Sequence, residues 1–198
     1  MAGGHGRDVG GENLDEAATA NDTELARRRA VRTSRRPRWE LFAVLAVSIL
    51  VVDQLTKAWI AANVDPARPQ PIVGDYLRLI VSHNTGALFG LFRDQAPLFA
   101  AFSLAVIALI VWYHSRVGAS VVLATALGLL LGGALGNLTD RVRLGYVLDF
   151  VDAGIGSLRW YTFNVADAAV STSLVLLVLV ALWPSLAGPP EERAGTDA

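Results

Sequence analysis

The sequence contains no cysteine, and this absence removes several kinds of chemistry at once. Without thiols the chain can form no disulfide, no zinc–thiolate centre and no cysteine nucleophile. Histidine is also scarce, because His5, His83 and His114 are the only three and lie far apart. This spacing disfavours a histidine-based metal cluster but leaves a Ser–His pair open. We therefore expect neither a metal nor another cofactor.

Charge is scarce as well, and it is missing from long stretches. Charged residues make up 18% of the chain and hydrophobic residues 53%. A helix needs about 20 mostly apolar residues to cross the hydrocarbon core of a membrane. The sequence therefore predicts four transmembrane helices, at residues 39–62, 96–113, 117–138 and 160–183. The first is too long for a cleaved signal peptide and follows a polar leader, so we expect it to be retained.

Arginine content predicts the orientation of these spans. Seven arginines immediately precede the first span: Arg27, Arg28, Arg29, Arg32, Arg35, Arg36 and Arg38. Positive charge marks the cytoplasmic side, so both termini and the turn at His114–Arg116 should be cytoplasmic. Residues 1–38 read as a disordered cytoplasmic tail whose arginines hold topology and touch lipid rather than nucleic acid. Residues 186–198 read as a second, short cytoplasmic tail.

The two segments predicted to face outward, 63–95 and 139–159, are more than linkers. Residues 72–82 are rich in β-branched and aromatic side chains and lie between Pro71 and Asn84, a pattern typical of strands. Residues 146–152 could form a short strand or an interfacial element. The predicted fold is thus an all-α membrane protein with four transmembrane helices and a small extracytoplasmic subdomain containing β-structure.

The polar residues of the spans converge at one depth. With a helical rise of 1.5 Å per residue, Asp53, Asp167 and Asn137 lie roughly 21, 24 and 30 Å above the inner ends of their spans. Polar side chains at such depths should face the bundle interior. One shared site would explain Asp53, Lys57, Asn137, Asn164 and Asp167 together, with Asp149 entering from the adjacent outer segment. Small residues allow close helix packing, and we assign that role to Gly128 and Gly132, whereas Gly136 borders the site.

Four short motifs follow one another along the chain. They are Asp53-Gln54-Leu55-Thr56-Lys57, Asn84-Thr85-Gly86-Ala87-Leu88-Phe89, Gly136-Asn137-Leu138-Thr139-Asp140-Arg141 running on to Val147-Leu148-Asp149, and Phe163-Asn164-Val165-Ala166-Asp167. In this order, and on a four-span frame, they resemble lipoprotein signal peptidase (signal peptidase II) over residues 40–185. Leu88 is a departure, since the family more often has a small residue there.

The resemblance implies a membrane-embedded aspartyl endopeptidase domain over residues 39–185. Its substrates would be prolipoproteins bearing a diacylglyceryl cysteine, cut just before that cysteine, at the outer side of the bacterial cytoplasmic membrane. The matching catalytic residues are Asp149 and Asp167, with Asp149 matched by its spacing after the Gly-Asn-x-x-Asp-Arg motif. Two such carboxylates would share one proton and activate a water without a metal. We expect a monomer in contact with membrane lipids.

The neighbouring residues receive supporting roles. Asn84, Asn137, Arg141 and Asn164 are expected to bind substrate or hold the aspartates, and Asn164 could instead cap the fourth span. Asp53 and Lys57, four residues apart on one helix, are expected to pair structurally. Asp140 is expected to orient Arg141 or cap the end of the third span.

Two other functions fit part of the sequence. A small transporter could use Asp53 and Lys57, although transporters usually bind near the midplane between inverted repeats and no repeat is visible here. A non-enzymatic assembly scaffold is the third reading. It predicts that changing the carboxylates to amides leaves function intact.

Overall fold

The computed structural model describes residues 21, 23, 37–85, 96–117 and 120–187. The structure has four long helices: α1 (Trp39–Asn63), α2 (Ala96–Val117), α3 (Val121–Leu144) and α4 (Val165–Leu182). One pair of strands lies between α1 and α2 and a second pair between α3 and α4. The strands are β1 (Gln70–Val73), β2 (Leu77–Asn84), β3 (Val147–Ile155) and β4 (Leu158–Arg159), and a 3₁₀ turn at Pro184–Ala187 follows α4. Nearly all of the predicted tails, 1–38 and 186–198, and residues 86–89 of the second motif lie outside the described residues.

All four helices are long and apolar enough to cross a membrane, which confirms the four predicted spans. The bounds of the third helix differ from those of the predicted third span, because α3 begins at Val121 and continues to Leu144. Ser120 caps its start, and Gly145, in the left-handed conformation with φ of 80°, ends it. Residues 114–116, predicted as the inner turn, belong to α2.

The fourth span also begins later than predicted, at Val165 rather than at residue 160. The preceding residues are held by the sheet, because Phe163 forms an isolated bridge with Val151 and the Trp160 N–H donates to the Ala153 carbonyl at 2.6 Å. Asn164 then starts α4 with a capping box. The last polar residues before α4 are therefore extended and hydrogen-bonded to β3.

Helix α3 is the most buried of the four and packs against the other three. Close approach depends on glycine. A Cβ atom at Gly132 would lie 2.7 Å from the Ala46 carbonyl oxygen of α1, and one at Gly133 would lie 2.5 Å from the Ala166 carbonyl oxygen of α4. Neither position has room for a larger residue. The glycine spacing thus predicted close packing at Gly132 without naming the partner helix, and Gly133 was not singled out from the sequence.

The strands form one antiparallel sheet in the order β1-β2-β3-β4, which confirms the predicted β-containing subdomain. In the β2–β3 pair, Ser82 lies opposite Asp149. Leu148 and Phe150 pack with Ile60 and Val64 at the end of α1. Because side chains alternate along a strand, Asp149 points away from this apolar cluster. The sheet therefore fixes Asp149 against the end of the helix bundle.

Candidate active site

With the observed helix bounds, the polar residues of the spans lie at more similar depths than the sequence predicted. Counted at 1.5 Å per residue from the helix ends farther from the sheet, Asp53 lies about 21 Å, Asn137 about 24 Å and Asp167 about 22 Å along their helices. The distance for Asn137 is smaller than predicted because α3 begins at Val121 rather than at Val117. Three helices thus present polar side chains to one layer of the bundle.

Asp149 and Asp167 meet at a single residue, Asn164. The Asn164 Nδ2 donates to Asp149 Oδ1 at 2.7 Å, and its backbone N–H donates to Asp167 Oδ2 at 3.2 Å. The Asn164 Oδ1 also accepts from the Asp167 backbone N–H at 2.9 Å. Helix capping and contact with the aspartates were alternatives in the sequence. The structure shows one side chain doing both.

Two further amides complete the hydrogen bonding of the carboxylates. Asn84 Nδ2 donates to Asp149 Oδ2 at 3.0 Å, and Asn137 Nδ2 donates to Asp167 Oδ1 at 2.8 Å. Each of the four carboxylate oxygens therefore accepts one N–H. A carboxylate oxygen has two lone-pair positions, so each retains one for a proton, a water or a substrate group. The three predicted asparagines are all brought to the two aspartates.

The environment of Asp149 raises its pKa to near neutral, so both its protonated and its ionised form are populated there. Its side chain is buried, with 1% exposure. Burial and the negative charge of Asp167 raise the pKa of Asp149 to about 7, against the hydrogen bonds from Asn84 and Asn164 and the charge of Lys57, which lower it. A buried carboxyl beside a second carboxyl is the arrangement in which one proton is shared between two acids.

Lys57 lies between two buried carboxylates. Its Nζ is 2.8 Å from Asp53 Oδ2 and 2.8 Å from Asp140 Oδ2. The predicted pairing of Asp53 with Lys57 is therefore present. The second partner, Asp140, was not predicted from the sequence. All three side chains are buried, with residue exposures of 0%, 4% and 3% for Asp53, Lys57 and Asp140.

Asp140 does not act as a helix cap. It lies within α3, where its Oδ2 accepts from the Leu148 backbone N–H at 3.1 Å and its Oδ1 accepts from Gln54 Nε2 at 2.9 Å. Asp140 thereby ties α3 to α1 and to the strand residue that precedes Asp149. Gln54 was not singled out from the sequence, although its position beside Asp53 in the first motif was a signal.

The orientation of the Asn137 amide follows from its neighbours. Its Oδ1 accepts from Lys57 Nζ at 3.3 Å and from Asn164 Nδ2 at 3.2 Å. Lysine can only donate, so the amide oxygen faces Lys57 and the amide nitrogen is directed to Asp167. A continuous chain of contacts thus runs from Lys57 through Asn137 to Asp167.

Gly136 and Arg141 flank this chain. A Cβ atom at Gly136 would lie 2.6 Å from Asp53 Oδ2, so glycine leaves room for that carboxylate, whose Oδ1 accepts from the Ala166 backbone N–H at 2.9 Å. Arg141 donates from Nη1 to the Asn137 carbonyl at 3.3 Å, and its guanidinium lies 5.5 Å from the centre of the Phe99 ring. Gly136 therefore supports the site, and Arg141 lies beside it.

Within the described residues, no group of three or more His, Cys, Asp or Glu side chains is arranged to hold a metal ion. The arrangement that is present is one buried carboxyl, Asp149, with a pKa of about 7, and one half-buried carboxyl, Asp167, each accepting amide hydrogen bonds. It suits general acid–base chemistry on a water molecule. One carboxyl can accept a proton while the other donates one.

Comparison with known proteins covers most of the chain. The family model described as "Signal peptidase (SPase) II" matches residues 45–183. The lipoprotein signal peptidase of Moorella thermoacetica is 38% identical over 145 residues, which cover 73% of this chain and 94% of that protein. The lipoprotein signal peptidase of Methylorubrum extorquens is 42% identical over 161 residues, covering 78% of this chain and 92% of that protein.

Solved structures agree in fold. One bacterial membrane enzyme superposes with a TM-score of 0.70 at 24% identity, over 81% of this chain and 98% of its own. A second superposes with a TM-score of 0.69 at 25% identity, over 75% of this chain and 97% of its own. The four-helix arrangement with its small sheet therefore recurs in membrane enzymes.

Proposed function

The chain belongs to the signal peptidase II family of aspartic peptidases, and we propose that it removes the signal peptides of diacylglyceryl-modified prolipoproteins by cutting before the lipidated cysteine. The observation that carries this proposal is the pair of aspartates, the buried Asp149 and the half-buried Asp167, joined by the side chain and backbone of Asn164. Both aspartates come from one chain, so a monomer suffices.

The proposed reaction uses the two carboxyls in different protonation states. Asp149, with a pKa of about 7, holds the proton. Asp167 lies in the first turn of α4, where the positive end of the helix dipole faces a carboxylate, and it is the base. Asp167 removes a proton from water as the water oxygen attacks the scissile carbonyl carbon, while Asp149 donates its proton to the carbonyl oxygen. Collapse of the tetrahedral intermediate returns a hydroxyl proton to Asp149 and passes the Asp167 proton to the leaving amine.

The neighbouring polar residues then divide by the contacts they make. Asn84, Asn137 and Asn164 each donate to a catalytic carboxylate, which favours a role in holding the aspartates alongside any contact with substrate. Arg141, beside Asn137, is our candidate for binding the substrate backbone. Lys57 is held between Asp53 and Asp140, an arrangement that speaks against the transporter hypothesis, in which this pair would move charge.

The direct test is cleavage of a defined substrate. Purified full-length protein is incubated with a prolipoprotein peptide carrying a diacylglyceryl cysteine, and the products are identified by mass spectrometry. We expect one cut, immediately before the modified cysteine. The same peptide without the lipid is the control and should be cut far more slowly. Release of no fragment from the lipidated peptide by correctly folded protein would contradict the proposal.

Activity should fall as the pH rises through the pKa of Asp149. The mechanism requires its protonated form, so kcat/KM should decline above about pH 7, because this quantity reports the ionisation of the free enzyme. The Asn84 hydrogen bond lowers the pKa of Asp149. Asn84→Ala should therefore move the alkaline limb to higher pH, whatever it does to the rate. If the alkaline limb of the pH profile moved to lower pH instead, Asn84 would have to stabilise the protonated form of Asp149.

The same ionisation should affect stability. Asp149 has a higher pKa in the folded chain, about 7, than its ordinary value of 3.8. The folded state therefore binds more protons between these two values, and its stability decreases as the pH rises across that window.

We further propose that both termini are cytoplasmic and that the site faces the outer side of the bacterial cytoplasmic membrane, because arginines crowd the residues before α1. The chain has no cysteine, so single cysteines introduced at positions 70, 143, 20 and 192 can be labelled individually. In intact spheroplasts, an impermeant thiol reagent should label positions 70 and 143 and leave positions 20 and 192 unlabelled. Labelling of position 192 before permeabilisation would contradict the proposed topology, in which four spans leave the C-terminus in the cytoplasm.

A further inference from the structure

One end of the sheet carries a cluster of exposed apolar side chains. We call this end the sheet tip: the turns at residues 74–76 and 156–157 and the residues that flank them. Tyr76, Ile155, Leu158 and Trp160 are 62%, 68%, 80% and 75% exposed, and Val73 is also exposed. Single exposed apolar residues are ordinary, but a contiguous group of this size marks a contact surface.

Hydrogen bonds hold the two turns side by side. The Gly156 N–H donates to Asp75 Oδ2 at 3.1 Å, the Gly154 N–H donates to the Tyr76 carbonyl at 2.9 Å, and Arg159 Nη1 donates to the Asp75 carbonyl at 2.6 Å. The exposed apolar side chains of the two hairpins are therefore held close together in a fixed arrangement.

The charged side chains in and beside the sheet tip neutralise one another. Asp152 lies between two arginines, 2.6 Å from Arg78 Nη2 and 3.0 Å from Arg159 Nη2, and Asp75 lies 3.1 Å from Arg78 Nη1. Burial raises the pKa of Asp152, but the hydrogen bonds and charges of Arg159 and Arg78 outweigh it and leave that pKa below its ordinary value. Two carboxylates and two guanidiniums thus give no net charge, which reduces the cost of entering a medium of lower dielectric constant.

The sheet tip also lies within reach of the membrane surface. Trp160 precedes the first residue of α4 by five positions, and an extended chain of that length covers at most about 18 Å. The polar interfacial layer adds roughly 5–8 Å beyond the hydrocarbon core on each side. Tyrosine and tryptophan are the residues enriched in that layer, and the tip has one of each beside aliphatic side chains.

We propose that the sheet tip inserts into the interfacial layer of the phospholipid bilayer and anchors the sheet at the membrane surface. The occupant of the apolar surface is lipid, because four spans attach this sheet to the bilayer and the tip combines a neutral charge cluster with interfacial aromatic residues. The anchor would hold β3, and with it Asp149, at a constant height. This proposal is based on the residues of the sheet tip and does not depend on the proposed peptidase reaction.

The test uses the absence of native cysteine. Leu158→Cys and, separately, Tyr76→Cys are labelled with the fluorophore NBD in the full-length protein and reconstituted into phosphatidylcholine–phosphatidylglycerol vesicles. Some vesicles contain lipids with a nitroxide at a shallow or a deep acyl position. We expect blue-shifted emission and stronger quenching by the shallow nitroxide. Val47→Cys, at an exposed position on α1, is the depth reference and should be quenched more by the deep nitroxide.

The matched control changes the chemistry of the tip. In a background with Tyr76→Ser, Ile155→Thr and Trp160→Ser, the label at Leu158→Cys should lose its lipid quenching, while the label at Val47→Cys keeps it. Emission typical of water, with quenching by aqueous iodide alone, would overturn the proposal. So would protection that appears only with a second copy, detected by energy transfer between labelled chains, or only when a substrate peptide is added. None of these measurements uses peptidase activity, so their failure is distinct from failure of the proposed function.

Discussion

Asp149→Asn and Asp167→Asn should each reduce kcat/KM on a diacylglyceryl-modified prolipoprotein peptide by roughly 10³-fold or more, the scale seen when one member of a catalytic unit is lost. Each change is nearly isosteric, but an amide cannot hold or release the shared proton. Because the two aspartates act in the same steps, the double variant should be hardly slower than either single one. Peptide cleavage is measured by mass spectrometry, and folding by thermal unfolding in detergent.

The matched control is Asp152→Asn, three residues along the same strand. Asp152 is also buried, at 4% exposure, but it pairs with Arg78 and Arg159 rather than with the proposed site. This variant should lose some stability and keep most of its turnover. Asp140→Asn is a less clean control, since Asp140 contacts Lys57 and the backbone beside Asp149. Rapid cleavage by either Asp149→Asn or Asp167→Asn would rule out the aspartyl mechanism.

The helices could be predicted from the sequence because apolar runs of membrane-spanning length have few other structures available to them. The ends of the helices could not be predicted, because a helix can continue beyond the last residue of its apolar run. Helix α3 continues through Thr139-Asp140-Arg141 because Asp140 finds partners in the site and the other two side chains donate to carbonyls of α3 itself. The helix ends where Gly145 adopts a positive φ. Hydropathy alone placed that end at residue 138.

The depth of the site in the membrane could be predicted from the sequence, but the contacts among its residues could not. Helical rise placed Asp53, Asn137 and Asp167 in one layer. That Lys57 also reaches Asp140 depends on how α1 and α3 are rotated against each other, and this rotation is set by the close contacts at Gly132 and Gly136. The pairing of Ser82 with Asp149 depends likewise on the register of β2 and β3, which has an irregularity between Leu79 and Ser82. No local pattern specifies that register.

Lys57→Met should lower the free energy of unfolding by about 3–5 kcal/mol, the usual cost of removing one partner from a buried ion pair. Lys57 is the cation 2.8 Å from both Asp53 and Asp140, and methionine of similar length would leave two buried carboxylates without it. Denaturant unfolding in detergent measures this change in the free energy of unfolding.

Two related variants test whether unpaired charge is the cause of the stability loss in Lys57→Met. Asp140→Asn leaves Asp53 and Lys57 as a neutral pair and should cost less than Lys57→Met. Adding Asp140→Asn to Lys57→Met removes one of the two stranded carboxylates, so the double variant should be more stable than Lys57→Met alone. If the double variant were instead destabilised by the sum of the two single effects, the loss would come from packing and the three charges would not act as one cluster. Turnover should fall with Lys57→Met as well, because the Asn137 amide loses the donor that directs its nitrogen to Asp167.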